Sequence, residues 1–438
     1  MVDKVVGEVV DGAAGTLRTE DRKGRDPNYG TIAEEGLERL RARIGVPVRN
    51  PSPPHYREPG LDAFRIVAQA YGDDNPLWSD PEYAAGSRWG APIAPPALVG
   101  GDTLIGEDED VTLDDAQRAL LKGDPLRGVH AFYSGSAREW WAPLPAGNRV
   151  RRRDALVGVH DKQSEFAGRA VHEWSAQAFA LAGGPLLAAQ YKLMIRTERT
   201  KARERKKYAA IEPWTYTDAA IERIEKAALA EERRGATPRY WEDVAVGDPI
   251  GSLVKGPLTV TDMVCWHVGM GMGLYNIRPL GLAVRNRRRI PGFYHRDERN
   301  VPDVMQRVHW DPAFARQSGN PTTFDYGRMR ETWLVHACTN WMGDDAWLWK
   351  LECEFRAFNY VGDTQWVGGE VTRQYLAEGD RPAVDVALHA RSQREVETTV
   401  GRATILLPSR EHGAVRLPDP PGTDLESAMQ AIVERFAR

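Results

Sequence analysis

The chain has few cysteines, no long apolar run and little net charge. Its three cysteines among 438 residues are too few and too scattered for a disulfide framework, and no Cys-x-x-Cys pair indicates zinc. No stretch approaches the roughly 18 apolar residues that a membrane-spanning helix needs, and the N-terminus lacks the apolar centre of a signal peptide. A net charge of −4 does not favour nucleic acid. We therefore expect a cytoplasmic protein without a metal ion, a membrane anchor or a nucleic acid partner.

The length and the order of local patterns predict two globular units. Residues 1–58 mix glycine, proline and charge, which is typical of an N-terminal arm with at most a short helix. Residues 59–200 begin with a helical pattern and end in alternating apolar and polar stretches that predict antiparallel strands. A charged, alanine-rich stretch predicts a helical linker over 201–238. Residues 239–410 show the same order of patterns, and residues 411–438 are predicted to form a C-terminal tail.

A short internal repeat supports this division. LWSDPEYA (77–84) and VHWDPAFA (308–315) align without a gap, and each is followed by a proline-containing segment and later by a glycine-led strand. We expect the shared Asp80 and Asp311 to cap turns. After the second copy, GRMRETWLVHACTNWMG places large apolar residues every fourth position, which predicts one long helix.

These segments resemble the MaoC-like hydratase and dehydratase family. The most specific match is GDDNPLWSDPEYA (72–84), and HAFYSGSAREWWAPLPAGNRV (130–150) resembles the fatty-acid-synthase-like dehydratase domain that often precedes a MaoC domain. The resemblance implies an α+β fold, a tandem double hotdog in which each half is a long helix wrapped by a curved antiparallel sheet. It also implies the addition or removal of water on a coenzyme A thioester by one aspartate and one histidine.

The two halves differ at the positions that carry this chemistry. In the first half Asp73 keeps the aspartate's place, but Trp78 stands where the histidine is expected, so we do not expect catalysis there. In the second half His309 falls on the histidine's place, whereas Val304 occupies the aspartate's place and Asp303 is its neighbour. The resemblance therefore predicts His309 and Asp303 as the catalytic pair, acting on water as base and acid.

The segment before the long helix is predicted to bind the thioester. Tyr326 and Gly327 replace the family's His-Gly turn, and Asp325 precedes them. Because the first backbone amides of a helix favour developing negative charge, the thioester oxygen is expected at this helix N-terminus.

Two arginine clusters are candidates for the phosphates of coenzyme A. Arg287 and Arg288 lie in an insertion of the second half, and Arg151 to Arg153 form another cluster. Arginine suits phosphate because it can donate two parallel hydrogen bonds. Exposed loop or strand charge without a ligand is the alternative interpretation of either cluster.

The sequence leaves three functions open. The first is hydration of an enoyl-CoA or dehydration of a 3-hydroxyacyl-CoA, with no cofactor beyond the coenzyme A of the substrate. A hotdog thioesterase and a non-catalytic acyl-CoA-binding partner subunit are the alternatives. Since hotdog domains generally work in pairs, the fused pair can stand in for a dimer, and a homodimer of the whole chain is a further expectation.

Overall fold

The computed structural model describes residues 28–49, 54–99, 105–164, 168–198, 211–271, 280–289, 291–318 and 320–437. Its α-helices are α1 Glu34–Arg41, α2 Leu61–Tyr71, α3 Pro81–Ala85, α4 Asp115–Leu120, α5 Asp218–Leu229, α6 Val260–Met270, α7 Leu280–Arg289, α8 Pro312–Gln317, α9 Gly327–Met342 and α10 Leu425–Phe436. Its strands are β1 Pro47–Val48, β2 Glu107–Asp108, β3 His130–Trp140, β4 Val150–Ser164, β5 Gly168–Leu181, β6 Leu186–Thr197, β7 Pro249–Lys255, β8 Tyr294–Arg296, β9 Pro302–Val304, β10 Trp347–Phe355, β11 Gln365–Ala377, β12 Arg381–Ser392 and β13 Glu397–Leu406.

One large sheet runs through both halves of the molecule. Its strand order is β1-β4-β5-β6-β3-β10-β13-β12-β11-β7, and short β2 pairs with β4. The halves meet where β3 and β10 pair antiparallel, from Glu139 opposite Lys350 to Gly135 opposite Glu354. The strands of the first half are therefore continuous with those of the second, as the predicted double hotdog requires.

The long helix predicted over GRMRETWLVHACTNWMG is confirmed as α9. It packs against five strands of its own half and against β3 of the other half. Every side chain from Arg328 to Met342 is buried, although the helix carries arginine, glutamate and histidine. A helix buried on all sides must pair its charges internally, and Arg138 of β3 forms a fully buried ion pair with Glu331 of α9.

The first half differs from the simple hotdog expectation. Among its described residues, the only helix between Pro96 and β3 is α4, which is six residues long and has no buried side chain. The prolines of SRWGAPIAPPALVGG explain why no helix begins there. Phe179 and Leu187 of the first-half sheet instead join the same hydrophobic core as Trp333 and Leu334.

The segments outside the two halves also pack on the sheet. From α10, Leu425, Met429 and Ile432 cover Ala155 and Ala176 of the first half. The short N-terminal helix is confirmed as α1, and the linker helix as α5. The domain boundaries drawn from the sequence stay predictions. Within the described ranges, no helix combines the length and apolarity needed to cross a membrane.

The internal repeat is visible as repeated structure. A 3₁₀ turn spans Pro76–Trp78 in the first copy and Met305–His309 in the second. In each copy an aspartate then caps a short helix: Asp80 accepts hydrogen bonds from the first turn of α3, and Asp311 does so for α8. The expectation that both aspartates are caps is confirmed. Trp78 and His309 thus occupy matching places at the ends of matching turns.

Candidate active site

The tautomer of His309, in the second half, is defined by its hydrogen-bond partner. Its Nδ1 lies 2.8 Å from the carbonyl oxygen of Phe324, and since a carbonyl only accepts, Nδ1 carries the hydrogen. Burial of the ring, together with the neighbouring His267, lowers the pKa of His309 to about 4. The imidazole is therefore neutral near pH 7, and Nε2 holds a lone pair that can accept a proton from water.

Tyr326 lies between two histidines. Its ring centroid is 4.1 Å from that of His309, and its hydroxyl is 3.0 Å from Nδ1 of His267 on α6. Trp266 stacks on the Tyr326 ring, with ring centroids 5.4 Å apart and planes 25° from parallel. Burial raises the pKa of Tyr326, so the phenol keeps its proton. We call His309, Tyr326 and His267 the His-Tyr-His cluster.

His267 and Trp266 were missed by the sequence interpretation. Both residues lie on α6. Both residues are buried, and a Trp-His pair on the buried face of a helix is a signal that could have marked them. Among the described residues, no group of three His, Cys, Asp or Glu side chains is arranged to hold a metal ion.

The N-terminus of α9 begins beside this cluster. Tyr326 is the N-cap residue and Gly327 the first helical residue. A Cβ atom at Gly327 would lie 3.1 Å from the ring of Phe355, so a larger residue would require that ring to shift. The amide of Met329 bonds back to Tyr326. The first helical amides generally have no partner within a helix, and here they start next to His309.

Asp325 is turned toward structural partners. Its Oδ2 lies 3.1 Å from Nε of Arg330 and accepts a hydrogen bond of 2.9 Å from the Asn359 amide. Burial raises the pKa of Asp325 to about 6, against the opposing effect of Arg330. This arrangement fixes the segment that enters α9. A direct contact between Asp325 and a substrate stays a prediction.

Asp303 is the middle residue of β9 in the small β8–β9 hairpin, opposite His295. Its Oδ1 accepts a hydrogen bond of 2.7 Å from the amide of Val304. The aspartate's place in the family pattern is thus filled by Val304, a fully buried apolar residue. The role of Asp303 as the partner of His309 stays a prediction.

The two arginine clusters have different surroundings. Arg287 is partly buried and Arg288 exposed, both on α7, and their role in phosphate binding stays a prediction. In the other cluster Arg152 pairs with Asp108 at 3.0 Å and Arg153 with Glu109 at 2.6 Å. The first-half cluster is therefore engaged by carboxylates of the neighbouring segment, which supports the structural interpretation for it.

The matching site of the first half is an aromatic pocket. Asp73 is buried and accepts hydrogen bonds from the amide of Asn75 at 3.0 Å and from Oγ1 of Thr339 at 3.2 Å. The pocket beside it encloses about 510 Å³, including solvent at its mouth, and its lining includes Trp78, Trp89, Trp140 and Trp347. Thr339 lies about 20 Å from Tyr326 by the rise of α9. The pocket and the His-Tyr-His cluster are therefore at opposite ends of that helix.

Comparisons with known proteins agree with this architecture. Residues 61–172 match the family model of the FAS1-like dehydratase domain region. A solved structure described as a MaoC-like dehydratase is 17% identical, with a TM-score of 0.56 over 84% of this chain and 99% of that chain. A putative MaoC domain protein dehydratase from Chloroflexus aurantiacus J-10-fl is 12% identical, with a TM-score of 0.51 over 84% of this chain and 96% of that one. None of the curated proteins matches this chain.

The continuous sheet, the repeated turns and the buried α9 define a double hotdog protein. Its fold is that of the MaoC-like dehydratases, and residues 61–172 match the model of the FAS1-like dehydratase domain region. The resemblance predicted from GDDNPLWSDPEYA is confirmed at this level.

Proposed function

We propose that this protein adds water to an enoyl-CoA thioester or removes it from a 3-hydroxyacyl-CoA thioester, with His309 as the group that activates water. The observation that carries the proposal is the hydrogen bond from Nδ1 of His309 to the carbonyl of Phe324. It leaves Nε2 as the proton acceptor, and the lowered pKa keeps that acceptor unprotonated at neutral pH. A base of this kind is what attack of water on a conjugated thioester requires.

The second requirement is a place for the negative charge that develops on the thioester oxygen. The N-terminus of α9 begins at Gly327, directly after the Tyr326 ring that packs against His309. Preorganised amides at a helix N-terminus stabilise such an oxygen without moving. The substrate-binding roles proposed for Tyr326, Gly327 and Asp325 all refer to this segment. Arg287 and Arg288 are proposed to hold the phosphates of coenzyme A.

The third requirement is a group that exchanges a proton with the α-carbon. Asp303 is the candidate that the family pattern suggests, since it is next to the expected position. It lies just before the 3₁₀ turn that ends at His309. An Asp303→Asn variant would keep the size of the side chain and remove its acid-base capacity.

The test is incubation of the purified protein with a panel of enoyl and 3-hydroxyacyl coenzyme A thioesters. Conjugated-thioester absorbance and product mass report gain or loss of one water. We expect turnover by the wild type and loss of at least about 100-fold in kcat for His309→Ala, the usual contribution of a general base. Full activity in that variant would refute the mechanism. Release of free coenzyme A would indicate a thioesterase instead, and tight binding without turnover a non-catalytic subunit.

A further inference from the structure

The carboxylate expected beside His309 is missing from its place, but two other proton-carrying groups surround the ring. Val304, at that place, is buried and apolar. Asp325, the carboxyl nearest in sequence to Tyr326, is engaged by Arg330 and Asn359. Tyr326, in contrast, packs against the His309 ring, and its hydroxyl lies 3.0 Å from Nδ1 of His267.

We infer that Tyr326, supplied by His267, is the second proton-transfer group of the reaction, in place of a carboxylate. The inference rests on the proposed hydration and dehydration. It assigns Tyr326 a catalytic role beyond substrate binding and gives His267 a role as the proton source behind it. A hydrogen-bonded hydroxyl and imidazole can pass a proton along their shared bond.

The proposed reaction moves one proton across the cluster. It requires that His267 carry the extra proton at rest and that His309 be neutral. In hydration, Nε2 of His309 takes a proton from water as the water oxygen bonds to the β-carbon, and the electron pair of the double bond moves toward the α-carbon and the thioester. The α-carbon takes the hydroxyl proton of Tyr326, which is replaced from Nδ1 of His267. The cluster keeps one positive charge, which moves from His267 to His309. The resting state returns when His309 releases its proton to water and His267 takes one up from water, and dehydration follows the same steps in reverse.

The electrostatics of the site support this single shared proton. His267 lowers the pKa of His309, so the two rings resist being charged together. Burial raises the pKa of Tyr326, so a lasting phenolate is disfavoured and its proton must be replaced at once. The stacking of Trp266 restrains the phenol ring between the two imidazoles.

Two variants test the inference in the intact protein. Tyr326→Phe removes only the hydroxyl and should lower kcat by about 100-fold or more, with KM changed less than about threefold. His267→Asn keeps a donor close to the position of Nδ1 that cannot release a proton, and kcat should fall by at least about tenfold. The matched control is Tyr216→Phe, because the Tyr216 hydroxyl bonds only outside the cluster, to Gly362 and Thr364.

The outcomes separate the inference from the proposed function. Absence of turnover in the wild type contradicts the proposed function. An active wild type with near-normal turnover by Tyr326→Phe overturns the inference alone. A measurement without substrate adds an independent arm: titration of the imidazole resonances by NMR should show a higher pKa for His309 in His267→Asn than in the wild type. An unchanged His309 titration would refute the shared proton.

Discussion

The buried ion pair between Arg138 and Glu331 predicts a large effect on the free energy of unfolding. Both side chains have 0% exposure, and they join β3 of the first half to α9 of the second. Changing Arg138→Met removes one partner and leaves the Glu331 carboxylate buried, with the Tyr133 hydroxyl at 3.4 Å. Breaking a buried pair from one side costs about 3–5 kcal/mol, because the remaining charge has lost its compensation.

The double variant distinguishes this explanation from lost packing. Arg138→Met with Glu331→Met removes both charges at similar volume, and such replacements are often neutral. We therefore expect it to recover most of the stability that the single variant loses. The assay is urea unfolding followed by tryptophan fluorescence. The control is Arg391→Met, which breaks a pair 3.8 Å from Glu397 with both side chains about half exposed; it should cost about 1 kcal/mol or less.

Two results would refute the reasoning about this pair. One is a loss below about 1 kcal/mol for Arg138→Met, which would mean that solvent reaches Glu331. The other is a double variant as unstable as the sum of both single variants. Since the pair and the β3–β10 register both cross the boundary between halves, the wild type should also unfold in one transition.

Three further predictions concern the site. Because the pKa of His309 is lowered to about 4, acidification from neutral pH should not reduce kcat/KM with a midpoint near pH 6.5. A loss of kcat/KM centred at pH 6.5 would contradict the neutral imidazole. On acidification the imidazole of His309 takes up a proton at a higher pH in the unfolded chain than in the folded chain. The contribution of His309 to the free energy of unfolding is therefore at its maximum above about pH 6.5 and decreases toward pH 4. The double variant Arg287→Ala/Arg288→Ala should raise KM on the order of tenfold for a coenzyme A thioester. KM for the matching pantetheine thioester, which lacks the nucleotide phosphates, should not change. Equal effects on the two substrates would contradict binding of the phosphates by these arginines. Trp78→Ala should cost about 3–5 kcal/mol in thermal unfolding, as a buried aromatic truncation does, while kcat of the folded enzyme stays unchanged.

Much of the fold could be predicted because it depends on local patterns. Alternation along 150–197 predicted the strands β4 to β6, and the four-residue spacing of large apolar side chains predicted α9. The caps Asp80 and Asp311 were predictable because Asp-Pro places a side-chain acceptor just before a helix. The long helix that the family resemblance implied for the first half is absent from the described residues of that half.

The candidate site was harder to predict because its contacts join distant segments. His309 could be found from its alignment with Trp78, but its orientation depends on the carbonyl of Phe324, which carries no side-chain signature. The contact between Tyr326 and His267 joins the entry of α9 to α6, and no spacing in the sequence encodes it. Local patterns could therefore supply the elements, whereas the chemistry depends on how the two helices pack.

The first half lacks the expected histidine, yet the site depends on it physically. Its strand β3 pairs with β10, and its Arg138 compensates the buried charge of Glu331, one turn into the helix that begins at Gly327. Without β3, the edge of β10 would be unpaired and the Glu331 carboxylate would have to leave the core or lose its charge. Either change would disturb the N-terminal turn of α9, on which the thioester oxygen is proposed to lie. The half that carries Trp78 therefore stabilises α9, and the half that carries His309 supplies the residues proposed for the reaction.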